Sequence, residues 1–181
     1  AKTIDDSLTL ARGLVDLGYQ KVVTTPHIMS DFYRNTPENI GKGLEDLRAS
    51  LNEHHINLEI EAAAEYYVDF DFNERIGKEK LLTFGDNYIL IEFSFVQSPQ
   101  GFKESLFALQ TNGYKPVLAH PERYLYWHQD MSFYEELKNR DVLFQLNILS
   151  LIGIYSREVA QIAEQLIKHQ MIDWLGTDLH N

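Results

Sequence analysis

The chain has 181 residues, 44% hydrophobic and 24% charged, with a formal net charge of −11 and no cysteine. That balance describes one globular domain with a real core. It excludes a nucleic-acid backbone as the main partner, and it excludes disulfides, cysteine-type zinc sites and thiol nucleophiles. No apolar run is long enough to span a membrane and no signal peptide is visible, which points to a cytoplasmic protein without membrane insertion.

Thr3 or Asp5 can cap a first helix whose apolar face is Ile4, Leu8, Ala11, Leu14, Val15 and Leu17, closed by Gly18. Lys21–Thr25 is a β-branched strand broken by Pro26. Ile28–Asn35 reads as a loop. Thr36-Pro37 starts a second helix that runs to about His54 on Ile40, Leu44, Leu47 and Leu51. Leu58–Ala64 is the next strand, and the polar run Asp69–Lys80 has room for a short helix. Tyr88–Ile91 is an apolar strand. A helix on Phe102, Leu106 and Leu109 leads into the strand ending at Ala119. Beyond an aromatic loop, Phe133, Tyr134 and Leu137 mark a helix and Val142–Leu146 a strand. Ser156 caps a helix on Val159, Ile162, Ala163, Leu166 and Ile167, and Trp174–Gly176 is a last short strand. Regular alternation of helices with near-continuous apolar strands predicts an α/β fold with a covered parallel sheet, barrel-like rather than doubly wound.

Residues able to bind metal fall at the predicted strand ends: His27, Glu65, Glu92, His120 and Asp178, with His180 two positions further on. In a parallel α/β fold the C-terminal strand ends share one face, so these side chains converge. Imidazole plus carboxylate without sulfur suits manganese, iron or zinc better than calcium or magnesium. Several such ions in one cluster suit the hydrolysis of phosphate esters. Arg123 stands three residues beyond His120, and its planar fork of donors suits a doubly charged oxyanion. Tyr66, Tyr124, Tyr126 and Trp127 are candidates for the walls of a phenyl slot, with ordinary packing as the alternative. His54, His55 and His169 read as solvated, and His128 as rim or surface. Asp69-Phe-Asp71 has the spacing of an aspartate-nucleophile pair but does not follow a clean apolar strand.

Thr25-Pro-His27, Ala64-Glu-Tyr-Tyr67, Leu90-Ile-Glu-Phe93, Ala119-His-Pro-Glu-Arg-Tyr124 and Thr177-Asp-Leu-His-Asn181 resemble the polymerase-and-histidinol-phosphatase (PHP) superfamily. They are most similar to its bacterial tyrosine phosphatases of the CpsB/YwqE type. The resemblance covers essentially all of residues 1–181 and implies a distorted seven-stranded (β/α) TIM-like barrel forming a single phosphatase domain. It implies a centre of two or three divalent transition-metal ions, manganese first, with His27, Glu65, Glu92, His120, Asp178 and His180 as ligands. Arg123 would bind the substrate phosphate. The implied partner is the phosphotyrosine tail of a bacterial tyrosine autokinase that controls capsule or exopolysaccharide synthesis.

The family pattern opens with a His-x-His strand and an Asp ahead of the first helix. Residues 1–181 start after that point and stop inside a site loop, so the first barrel strand and three ligands are expected to lie outside them. Two other readings keep the same residues: another PHP phosphoesterase of the histidinol-phosphate phosphatase type, or a metal-poor phosphopeptide-binding fragment without activity.

Overall fold

Capping chemistry sets the helix starts. Thr3 and Thr36 hydroxyls accept from the N–H groups of Asp6 and Asn39, whose side chains accept in return from the capping residues' own N–H groups. The computed structural model describes residues 3–179. In chain order the elements are α1 (Ile4–Asp16), β1 (Lys21–Thr24), β2 (His27–Met29), β3 (Tyr33–Arg34), α2 (Pro37–Glu53), β4 (Glu59–Ala62), β5 (Glu65–Tyr67) and α3 (Phe70–Arg75). They continue with β6 (Tyr88–Glu92), α4 (Phe102–Thr111), β7 (Lys115–Ala119), α5 (Met131–Lys138), β8 (Leu143–Asn147), α6 (Arg157–Lys168) and β9 (Trp174–Gly176). Three 3-10 turns, Pro121–Arg123, Leu125–Trp127 and Ile148–Ile152, sit in the loops that follow β7 and β8.

Among the described residues, β1 and β4 form a two-stranded parallel sheet, and the other strands form a seven-stranded sheet in the order β3-β2-β5-β6-β7-β8-β9. Every pairing in the larger sheet is parallel except the β2–β3 hairpin. From β2 and β5 onward each parallel strand is laid beside its predecessor without a reversal of order, so the strand ends carrying the site lie side by side.

Two differences from the sequence reading bear on the site. The sequence predicts a strand Lys21–Thr25 that ends at the break by Pro26, with His27 just beyond it, and a strand Leu58–Ala64 that ends at Glu65. In the structure each breaks and resumes, so His27 and Glu65 open the short strands β2 and β5. Pro26 is the cause: it has no N–H to give to the neighbouring strand. Ala63 still donates to the Thr24 carbonyl at 2.9 Å and Glu65 to the Pro26 carbonyl at 3.1 Å, so the two chains stay in step across the break. Second, Ile28–Asn35 is not a plain loop but contains the β2–β3 hairpin. Ile28 pairs with Arg34, and the Asn35 amide donates to the His27 carbonyl at 2.8 Å.

The main core joins one face of the seven-stranded sheet to its helices, through Tyr66, Ile89, Ile91, Leu118 and Phe144 on the strands and Leu106, Leu109, Tyr134, Ile162 and Leu166 on the helices. Leu8, Ala11, Leu51, Leu58 and Ile60 form a second cluster under α1 and α2. Leu90, Val117 and Ala119 are buried on the opposite face of the sheet. This double burial is why the strands read as continuous apolar runs.

Candidate metal centre

Strand register brings the first three donors together. His27 on β2 lies opposite Glu65 on β5, and Glu65 lies opposite Leu90 on β6. Glu92, two residues beyond Leu90, therefore points to the same face. The result is compact: His27, Glu65 and Glu92 each offer one ligand atom, and these atoms lie within 4.8 Å of one another. His27 Nδ1 is 3.0 Å from Glu92 Oε1.

His120 needs a second device. Val117 lies opposite Leu90, so an extended His120 would alternate away from the carboxylates. Its backbone is instead left-handed, with φ 36° and ψ 55°, its N–H donating to the Gln145 carbonyl at 2.8 Å and its carbonyl accepting from the Arg123 N–H at 2.9 Å. The turned imidazole places Nε2 3.2 Å from Glu65 Oε1 and 3.7 Å from Glu92 Oε2. Asp178, beyond β9, is also left-handed with φ 47°. Such conformations cost a non-glycine residue about 1 kcal/mol each and are tolerated where the surroundings over-determine them.

Asp178 lines the same cavity. Its Oδ2 accepts from Arg123 Nη1 at 3.2 Å and from the Asn147 amide at 2.8 Å, with the Tyr155 hydroxyl at 3.5 Å. Arg123 is held between two rings: its guanidinium carbon is 4.6 Å from the centre of Phe95 and 4.3 Å from that of Tyr155. Both rings meet the guanidinium at cation–π distance, and the guanidinium's donors lie in its own plane. Asn147 also donates to the Tyr155 hydroxyl at 2.8 Å. Beneath it, Glu122 is fully buried and accepts from the Asn147 N–H at 3.1 Å and the Ser150 hydroxyl at 2.6 Å. The sequence reading gave no role to Glu122, Asn147, Ser150 or Tyr155. A charged Glu between His120 and Arg123 was the available signal for the first of them.

The electrostatics suit a cation. Glu65 and Glu92 are 5% and 7% exposed, and their described ion pairs are all with imidazoles, never with Lys or Arg. Buried carboxylates need a counter-charge. His27 answers with a proton affinity raised chiefly by its hydrogen bond to Glu92, against burial. Burial depresses the affinity of His120, but the bond to Glu65 and the charges of Glu65 and Glu92 outweigh it and the net shift is upward. His120 Nδ1 is buried without a hydrogen-bond partner. Two buried carboxylates and two imidazoles fit a divalent metal site of the N/O type. Burial pushes the Glu122 carboxyl up, partly offset by its bonds from Ser150 and the backbone.

Of the predicted ligands, His27, Glu65, Glu92 and His120 meet through the contacts above, and Asp178, tied to Arg123, lines the same cavity as His27, Glu92 and His120, with its charge helping to raise the proton affinity of His27. His180 lies outside the described residues. The expected phenyl-slot residues do not line the cavity as a group. Tyr66 and Tyr124 are fully buried and spend their hydroxyls on the Leu82 and Phe93 N–H groups, and Trp127 is packed into the core. Tyr126 is half-buried and donates to the Ser94 carbonyl. Ring walls come instead from Phe95, Tyr155, Tyr67 and Tyr33, the last stacked on His27 at 5.2 Å. Asp69 caps α3 through the Phe72 N–H and accepts from the Ser30 hydroxyl, so Asp69-Phe-Asp71 is a helix start. His128 is half-buried, with Nε2 2.7 Å from the Glu122 carbonyl, and so is neither free rim nor ligand.

The family model for capsular polysaccharide synthesis proteins, CpsB/CapC, matches residues 1–181. This chain belongs to the CpsB/CapC family. Its relatives include the tyrosine-protein phosphatase YwqE of Bacillus subtilis, 29% identical over 177 residues that cover 97% of this chain and 70% of that protein. The tyrosine-protein phosphatase CpsB of Streptococcus pneumoniae is 25% identical over 186 residues, covering 99% of this chain and 76% of that protein. Among solved structures, a chain from the work describing YwqE and CpsB as unique metal-dependent tyrosine phosphatases superposes with a TM-score of 0.91. It is 29% identical, and the match covers 100% of this chain and 74% of that one. The α/β architecture of this CpsB/CapC member is therefore that of a metal-dependent phosphatase structure. No described helix is long and apolar enough to cross a membrane.

Proposed function

We propose that this protein is a metal-dependent protein-tyrosine phosphatase that hydrolyses phosphotyrosine on a bacterial tyrosine autokinase governing capsule or exopolysaccharide synthesis. The observation that carries the reading is the meeting of Glu65, Glu92, His27 and His120 beside a ring-clamped Arg123 in one cavity. The relatives named as tyrosine phosphatases support it. On this reading residues 1–181 are most of one PHP domain, the sheet is part of a distorted seven-stranded (β/α) barrel, and the reaction is cytoplasmic.

His27, Glu65, Glu92 and His120 would hold two or three divalent ions, manganese first, together with Asp178 and His180. When bound, these ions supply Lewis acidity toward phosphoryl oxygens and a water acidified to near neutrality. The chain's own residues do the rest. Arg123 presents its donors to the phosphoryl group, fixed in orientation by Phe95 and Tyr155, so little reorganisation is needed as charge builds on the equatorial oxygens. Arg123 donates to Asp178 through Nη1, and its remaining donors are available to substrate. Asn147, locked by Glu122, keeps Asp178 at its station. No cysteine or phosphoenzyme is required, and phenolate leaves with little need of a general acid.

The test is a substrate panel with manganese present: a phosphotyrosine peptide, a phosphoserine peptide and histidinol phosphate. Phosphate release from the phosphotyrosine peptide, abolished by a chelator and restored by metal, is expected. Preference for histidinol phosphate would assign the chain to the other PHP phosphoesterases. Tight phosphopeptide binding with no release and no metal would leave only a binding module.

A further inference from the structure

The cavity over the metal-ligand residues has a volume of about 680 Å³. That is the size that encloses a drug-sized ligand, more than one aryl phosphate needs. Its walls divide by chemistry. The floor carries His27, Glu92, His120, Arg123 and Asp178, which among the described residues supply every charged side chain of the lining. The mouth is apolar, built from separate segments: Phe32 and Tyr33 from the β2–β3 turn, Val96 from the loop after β6, Leu149 from the turn after β8, and Leu179 beyond β9.

Several of these side chains are exposed. Phe32 is 75% exposed, Val96 88% and Leu179 47%. Isolated apolar residues on a surface are ordinary, but a set from distant segments converging on one cavity mouth marks a contact surface. The charge pattern restricts what fits. Apart from the floor, the lining among the described residues offers no Lys or Arg to an acidic flank and no carboxylate to a basic one. The net charge of −11 further disfavours an acidic segment or an anionic lipid surface.

We infer that the apolar mouth is a recognition surface for the residues flanking phosphotyrosine, and that it selects an extended segment with uncharged, apolar side chains on either side of the phosphorylated residue. The proposal rests on the phosphatase reading of the floor and names the peptide class that the floor acts on. Phosphoryl binding at Arg123 sets the register. Phe32 and Val96 then cover the flanking side chains and remove apolar surface from water, which small aryl phosphates cannot offer.

The test uses the full-length natural protein charged with Mn²⁺ and peptides of one length whose flanks are Leu/Val, Asp/Glu or Lys. Binding is read by fluorescence anisotropy on peptides carrying a non-hydrolysable phosphonate in place of the phosphate, and turnover on the phosphotyrosine versions and on p-nitrophenyl phosphate. Apolar flanks should bind about tenfold or more tighter than either charged series, chiefly as a KM effect in turnover. The double variant Phe32→Ser/Val96→Ser should bring the three series to within about threefold of one another. Both side chains lie mostly in solvent, so the variant keeps its fold, which a thermal melt checks. Equal binding of all three series, or a preference for charged flanks, overturns the proposal. So does loss of binding to phosphatidylglycerol vesicles in the double variant with the peptide ranking unchanged, since the mouth would then be a membrane contact. Failure of the phosphatase reading is separate: no phosphate would be released from any substrate, while the anisotropy ranking would still decide the role of the mouth.

Discussion

Arg123→Ala removes the clamp and leaves its neighbours partnered, because Asp178 keeps the Asn147 amide and the Tyr155 hydroxyl. Two kinds of interaction go. The charge-assisted hydrogen bonds to the phosphoryl group are worth about 1.5–3 kcal/mol. The ring contacts at 4.6 Å and 4.3 Å fix the guanidinium plane and add about 0.5–1 kcal/mol each. If roughly 3–4 kcal/mol of this is realised in the transition state, kcat/KM on a phosphotyrosine peptide should fall about 150- to 1,000-fold. Arg123→Lys keeps the charge but neither the fork nor the two-sided stacking, so it should recover no more than about tenfold. The assay is steady-state hydrolysis, with metal content by mass spectrometry and a thermal melt on the same samples. Unchanged turnover by Arg123→Ala refutes the clamp. Equal loss of metal and activity would show that Arg123 acts through the metal centre instead.

Removing the metal should invert the pH dependence of stability. In the metal-free protein His27 and His120 both have raised proton affinities, so their contribution is fully present below the unfolded imidazole value and is lost as pH rises through the raised folded values. Urea midpoints of the chelated protein should therefore decline from about pH 6 toward pH 8, while saturating Mn²⁺ should reverse the slope, since protons compete for the same nitrogens; a flat profile for the chelated protein would contradict the histidine–carboxylate pairing. Glu122→Ala strands the Asn147 N–H and the Ser150 hydroxyl in the interior and should cost about 2–4 kcal/mol, whereas Glu122→Gln keeps an acceptor and should cost less than half as much, both read from urea denaturation. Gly176→Val would put a Cβ 2.5 Å from the Gln145 amide nitrogen and 3.3 Å from its Cγ, displacing β9 two residues ahead of Asp178. About 1–3 kcal/mol of stability should go with it, and Mn²⁺ titration should show weakened metal binding.

Most of the order of elements was legible in the sequence. Thr3, Thr36 and Ser156 cap helices because a hydroxyl before an apolar-periodic run is a local signal, complete within four residues. Glu92 and His120 were legible as site residues because each follows an uninterrupted apolar strand that only a covered parallel sheet can bury. What misled was equally physical. The break at Pro26 was legible, but the strand that resumes at His27 and the matching break before Glu65 were not; they leave the donors in place and change which strands carry them. For Tyr124 and Trp127 the sequence left a phenyl slot and ordinary packing both open, and burial decides for packing, with the Tyr124 hydroxyl accepting from the Phe93 N–H.

By itself the sequence determined the chemistry available to this protein: imidazoles and carboxylates without sulfur, at the ends of apolar strands, with an arginine following the second histidine. These are properties of residue type and local spacing, and they survive any arrangement of the chain. Only the tertiary structure decided which groups meet. His27, Glu65 and Glu92 are brought within 4.8 Å by strand register, His120 is turned onto them by a left-handed residue, and Arg123 is clamped by Phe95 and Tyr155 from loops far away in the chain. Such contacts depend on sheet order and backbone conformation, which are settled by burial across the whole core rather than by any stretch of residues read alone.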